Sequence, residues 1–225
     1  MKAVYESPWH NPFLSWVAGA VFLVVLARRL PFFHAFALLF TAEIMADALL
    51  TGGWSPLGPG AATAASVSAV AFVVLGDWRY FLLLERYAWR VPARLPVGLA
   101  SLLASLVVPL ASMGLVRFGP ASWQGSSRVL FLVYELLFAL LAAGLRVRLR
   151  AWGWPRLDPT LRPWLVALTN FELVQYAGWA AADVLLLLGY DDFGYALRLV
   201  PNVMYYALFI PFAWWRAPRE VKGGA

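Results

Sequence analysis

The chain has 225 residues, 62% hydrophobic and 13% charged, with a mean hydropathy of +0.71 and a formal net charge of +6. That balance excludes a soluble domain of useful size and points to an all-α, polytopic integral membrane protein. There is no cysteine, and His10 and His34 are the only histidines, so disulfides, thiolate metal sites and a multi-histidine metal or haem centre are excluded.

A helix needs about 20 apolar residues to cross the ~30 Å hydrocarbon core. Seven runs qualify, at about 12–28, 31–51, 64–86, 97–117, 128–146, 163–189 and 195–215. The first eleven residues, MKAVYESPWHN, lack the basic start and small-residue cleavage site of a secretory signal, so run 12–28 is expected to be a retained transmembrane helix. RRLP at 28–31 closes it. The second run carries Glu43 and Asp47, four residues apart and therefore on one helix face, shared with Phe36 and Phe40. TGGWSPLGPG at 51–60 has the composition of a turn. The third run carries Asp77, Trp78 and Arg79, with Arg79 turned about 200° from Asp77 at 100° per residue.

The fourth run contributes no acid, and the fifth places Glu135 in its outer part. RVRLRAWGWPRLDP at 146–159 separates it from the sixth. There Glu172, Gln175, Trp179 and Asp183 fall within a sector of about 80°, while Asn170 points away. The seventh run adds Asn202, Tyr205 and Tyr206, and its Pro201 and Pro211 free backbone carbonyls at two levels.

Basic residues cluster in alternate connections: Arg28 and Arg29; Arg86, Arg90 and Arg94; Arg146, Arg148, Arg150, Arg156 and Arg162; then Arg216, Arg219 and Lys222. The positive-inside bias puts the N-terminus outside and the C-terminus in the cytoplasm. Topology and contact with anionic lipid account for the basic charge, so the bilayer is the expected partner and nucleic acid is not. Most tryptophans, among them Trp9, Trp54, Trp152, Trp214 and Trp215, flank run ends as an interfacial belt. Trp78 and Trp179 lie deeper, as core packing or as pocket aromatics. Arginine over lysine and abundant alanine suggest a GC-rich bacterial genome, hence a bacterial cytoplasmic membrane.

ADALLTGGW around Asp47 and ADVLLLLGY around Asp183 share A-D-x-L-L-x-x-G-aromatic, and WRVP at 89–92 is echoed by WRAP at 215–218. Chance in apolar text explains such matches as readily as ancestry. A true repeat makes runs 1–3 and 5–7 parallel halves joined by run 4, a 3+1+3 plan with a site near the midplane. That plan is similar to the seven-helix sugar-transporter and PQ-loop architecture, and the N-out topology is similar to microbial rhodopsins. The chain has no Pro-Gln dipeptide, and its seventh run has no lysine for a retinal Schiff base. Covalent retinal is excluded, no other cofactor or metal is expected, and no family follows.

A charged group at the bilayer centre costs roughly 2.5–3.5 kcal/mol on insertion scales. Single Asn or Tyr residues in such helices are ordinary interhelical ties. Six carboxyls, Glu43, Asp47, Asp77, Glu135, Glu172 and Asp183, set against one buried cation, Arg79, exceed what ties require. The expected site is an acidic cavity between helices. Asp77, Glu43 and Glu172 would be proton or cation sites, Asp47 and Asp183 outer-gate acids, and Gln175, Asn202 and Tyr206 neutral contacts, while Arg79 either pairs with an acid or reaches interfacial phosphate. No Walker loop, GxSxG elbow, HExxH or EF-hand pattern is present. The leading expectation is a membrane transporter for a small polar or cationic solute, linked to protons. The alternatives are a seven-helix sensor holding an apolar ligand and an intramembrane lipid-modifying enzyme using two carboxyls.

Overall fold

The computed structural model describes residues 19–21, 23–26, 28–51, 55, 62–89, 96, 98–151, 154 and 157–223. The described residues form helices and no strand: α1 Phe32–Thr51, α2 Ala62–Tyr87, α3 Leu99–Phe118, α4 Ser127–Ala151, α5 Arg162–Leu187, α6 Asp191–Val203, α7 Phe209–Arg216 and a short α8 Arg219–Gly223. Residues 19–21 and 23–26 are also helical, and most of run 12–28 lies outside the described residues, as do Trp9, Trp54, Trp152 and most of WRVP. Among the described residues four helices are long and apolar enough to cross a membrane: α1, α3, α4 and the continuous run Asp191–Arg216. Helices α2 and α5 have 26 residues each, about 39 Å at 1.5 Å per residue. Their length suffices for the bilayer core, but buried polar side chains lower their hydropathy.

The chain divides into two compact units, residues 1–73 with 219–225, and residues 74–218. In the first, α1 buries Phe33, Phe36, Phe40, Ile44 and Asp47 on one face. Spacings of three and four bring the rings together, Phe33 and Phe36 stacking 5.7 Å apart and Phe36 and Phe40 4.9 Å apart. α8 packs against α1.

In the second unit α4 and α5 pack together, α5 folds back onto α6, and α3 lies against α4. Helix α3 buries Ser101, Ser105, Val108, Pro109, Ser112 and Val116 and exposes Leu103, Val107, Leu110 and Met113. Small residues on the inner face allow close backbone approach, and large apolar ones on the outer face suit lipid. Ser105 and Ser112 return their hydroxyls to the carbonyls of Leu102 and Pro109, at 2.7 and 2.8 Å. The turn from α5 to α6 is tight. Gly189 has a φ of 84°, and the Tyr190 N–H reaches the Leu185 carbonyl at 2.9 Å, closing the helix end as a Schellman motif does. A Cβ on Gly194 would lie 2.5 Å from Leu186 Cγ, so only glycine admits this crossing.

The last helical run is not a uniform α-helix. Met204–Leu208 is a π turn between α6 and α7, just ahead of Pro211, whose ring cannot sit against the carbonyl four residues back. From Pro201 on, the buried residues include Pro201, Tyr205, Phe209 and Ala213, a spacing of four, with Ile210 beside them. In a straight α-helix that spacing drifts about 120° over twelve residues. The wider π turn absorbs most of the drift and holds all four on one face.

Candidate functional site

The site of the second unit is built on the C-terminal half of α2. From Gly76 to Glu85 every residue is buried except the half-buried Trp78, so this stretch is enclosed on all sides, as a core helix is. Its polar side chains need partners from neighbouring helices, since an unpaired buried polar group costs about 1–3 kcal/mol.

Asp77 finds two. The Tyr134 hydroxyl on α4 lies 2.9 and 2.8 Å from its Oδ1 and Oδ2, and the Tyr176 hydroxyl on α5 donates to Oδ1. The phenolic oxygens are 2.9 Å apart. An ionised carboxylate only accepts hydrogen bonds, and two phenols supply the donors. Phe138 walls the group, stacking on Tyr176 at 4.0 Å and touching Phe81 at 5.8 Å. Tyr80 lies 2.8 Å from Thr169 Oγ1, which donates to the Leu165 carbonyl at 2.8 Å; Tyr80 is therefore the donor to Thr169.

Arg79 is fully buried and has no carboxylate within 4 Å among the described residues. Its Nη1 donates to the Tyr205 carbonyl in the π turn at 3.2 Å, and its guanidinium lies 4.3 Å from the ring centres of both Tyr205 and Phe209. A desolvated cation over two rings gains about 2 kcal/mol or more. The π turn is what turns Tyr205 and Phe209 toward Arg79 together. Gly76 gives Tyr205 its room, since a Cβ there would be 2.4 Å from the phenol oxygen. Glu172 and Gln175 on α5 are buried, joined by a long 3.5 Å contact from Gln175 Nε2 to Glu172 Oε2. Arg79 acts on Glu172 electrostatically without touching it.

Near the C-terminal end of α5, Asp183 is ion-paired with Arg128 of α4, at 3.0 Å, and with Arg198 of α6. Arg198 Nη2 also lies 3.9 Å from Glu135. Counting Arg79 as the one buried cation therefore underestimates the positive charge. Arg128 stands in the first turn of α4 and Arg198 in the middle of α6, and their long stems carry the guanidinium groups to the acids. Beside them a pocket of about 440 Å³ is lined by Ser127, Arg128, Phe131, Tyr195, Arg198, Leu199 and Asn202. Between the levels, Trp179 Nε1 donates to Asn202 Oδ1 at 2.7 Å, and Trp179 lies 5.3 Å from the Tyr176 ring and 5.6 Å from the Tyr205 ring. Tyr206 is 39% exposed, and Tyr205 holds the interior position instead. Along α5, Tyr176 stands four residues from Glu172 and seven from Asp183, about 6 and 10 Å along the axis.

Glu43 and Asp47 belong to the first unit. Asp47 accepts the Thr51 hydroxyl at 2.8 Å. Of the two deep tryptophans, Trp78 is an interhelical tie, its Nε1 donating to the Gly98 carbonyl at 3.1 Å and to Ser101 Oγ at 2.9 Å. Asn170 accepts from Arg146 Nε at 2.7 Å, away from the acids.

Four contributors had no place in the sequence reading: Tyr134, Tyr176, Glu85 and the outer arginine pair. Tyr176 follows Glu172 by four and Tyr134 directly precedes Glu135, so polar spacing alone could have found the tyrosines. Glu85 accepts the backbone N–H of Gly98 at 2.9 Å and of Ser101 at 2.8 Å, capping α3 from another helix with a charge that suits its N-terminal dipole. Among the described residues no cluster of three or more metal-ligating side chains occurs. Comparison with family models, curated proteins and solved structures finds no match.

Proposed function

We propose that the chain is a seven-span protein of a bacterial cytoplasmic membrane, N-terminus outside, which moves a small polar or cationic solute with proton exchange along buried acids. The observation that carries this reading is the staging of three buried acids beside α5: Glu172 and Asp183 on the helix itself, and Asp77 of α2 held at the level of Tyr176, one turn from Glu172 and about two from Asp183. Ionisable groups at such depth, between helices with apolar outer faces, mark proton or ion paths more than packing. The phenol pair on Asp77 suits proton exchange, since a hydroxyl gives and accepts protons without changing position. In the repeat reading, Asp47 and Asp183 are equivalent, each four residues before its helix ends. The test is proton flux in liposomes containing the purified chain, driven by a pH step and read with an entrapped pH dye. Flux above protein-free vesicles is the expected result, and leak-level rates would reject it.

One observation favours ligand sensing as the second reading. Asp77 has all its donors from the protein, enclosed by Phe81, Phe138, Tyr134 and Tyr176, an arrangement that also suits a ligand-responsive switch. A sensor carries no flux under any gradient, so the same assay separates the two.

A further inference from the structure

Four polar atoms in the middle of the second unit are buried without a partner among the described residues: Arg79 Nε and Nη2, Glu172 Oε1 and Gln175 Oε1. The first two are donors and the other two acceptors. Arg79 is 0% exposed, Gln175 0% and Glu172 2%, so bulk solvent does not reach them. Phe209 places the two sides next to each other, its ring lying 4.3 Å from the Arg79 guanidinium and 5.8 Å from the ring of Phe171, the residue before Glu172. Among the described residues these three side chains are joined only by the weak contact from Gln175 Nε2 to Glu172 Oε2, at 3.5 Å, which leaves the four atoms unmatched. Neutral packing does not explain this arrangement, because each orphaned group costs about as much as a lost hydrogen bond, and charged groups cost more.

We propose that Arg79, Glu172 and Gln175 hold a small internal water cluster that joins the guanidinium to the carboxylate. The chemistry of the set selects the occupant. It must accept from Arg79 and donate to Glu172 and Gln175 at once, and water does both while making the two to four hydrogen bonds that buried waters make. The neighbouring rings of Tyr205 and Phe209 close the Arg79 side. Glu172 stands one turn from Tyr176 on α5, so hydration here supplies the inward limb of the path that begins at Asp77. This step rests on the proton-transfer reading for its purpose but not for its existence.

Radiolytic footprinting of the full chain in lipid nanodiscs, in ¹⁸O water, tests it. Hydroxyl radicals born at trapped water oxidise adjacent aromatic rings that bulk solvent cannot reach. Tyr205 and, above all, Phe209, which is 0% exposed, should be labelled several-fold more than Phe33, which is 1% exposed and stacks on Phe36 in α1. The Arg79→Met/Glu172→Met variant should lose that excess. Labelling of Tyr205 and Phe209 no higher than of Phe33 in the unmodified chain overturns the proposal, whether or not the variant folds. Labelling without proton flux leaves the hydrated site standing and rejects the transport reading; flux without labelling does the reverse.

Discussion

Replacing Glu85 with alanine removes both acceptors from the first turn of α3. The Gly98 and Ser101 N–H groups, held at 2.9 and 2.8 Å in the present structure, are left with no partner at a residue that is 7% exposed. An orphaned buried donor costs about 1–3 kcal/mol, which gives roughly 2–6 kcal/mol for the two. Loss of the negative charge at a helix N-terminus adds about 0.3–1 kcal/mol. Alanine's better helix propensity recovers less than about 0.5 kcal/mol, and water entering the truncated site recovers part of the rest. A net loss of about 3 kcal/mol is expected for Glu85→Ala, and about half of that for Glu85→Gln, which keeps one acceptor. The assay is reversible unfolding in mixed micelles, followed by tryptophan fluorescence and circular dichroism against denaturing-detergent fraction. A Glu85→Ala loss below about 0.5 kcal/mol, or Glu85→Gln worse than Glu85→Ala, would refute the view of Glu85 as a cap shared between helices.

Three further outcomes follow from the same geometry. Gly76→Ala places a methyl 2.4 Å from the Tyr205 oxygen; the overpacking cost of about 1–3 kcal/mol should outweigh the roughly 1 kcal/mol gained in helix propensity, and the Gly76→Ala/Tyr205→Phe double variant should regain part of the loss. Asp183→Asn leaves Arg128 and Arg198 without their shared carboxylate; because both arginines are partly exposed, the loss should be about 1–3 kcal/mol rather than the full cost of a broken buried pair, shrinking further in high salt. Tyr134→Phe with Tyr176→Phe removes both donors to Asp77 at nearly unchanged volume. Leaving a buried carboxyl group without its partners costs about 1–3 kcal/mol, and the double variant should lose at least about 2 kcal/mol while Tyr190→Phe, at a residue 57% exposed, loses little.

Helix positions were legible because hydropathy and turn chemistry agree. The run 31–51 became Phe32–Thr51, 97–117 became Leu99–Phe118, and 163–189 became Arg162–Leu187. The polar face of α5 was legible as well, since α5 has no π turn or internal proline to break a rotation of 100° per residue. The last helical run was less so. A uniform rotation favours Asn202 and Tyr206, whereas the π turn before Pro211 keeps the interior face on every fourth residue and brings in Tyr205 and Phe209. Partners supplied across helices were invisible for a different reason. Arg128 and Arg198 fall outside the basic clusters, and Tyr134 and Tyr176 stand within apolar text; only packing sets them against Asp183 and Asp77. Charge counted along one chain does not reveal which charges meet.

The most direct test of the account is proton flux in matched liposomes bearing the unmodified chain, Asp77→Asn, Glu172→Gln and their combination, with folding of each confirmed by circular dichroism. Flux in the unmodified chain, falling to the protein-free rate in the combined variant, is the predicted result. Equal flux in all four preparations, with every variant folded, would contradict the claim that these two buried acids carry the proton.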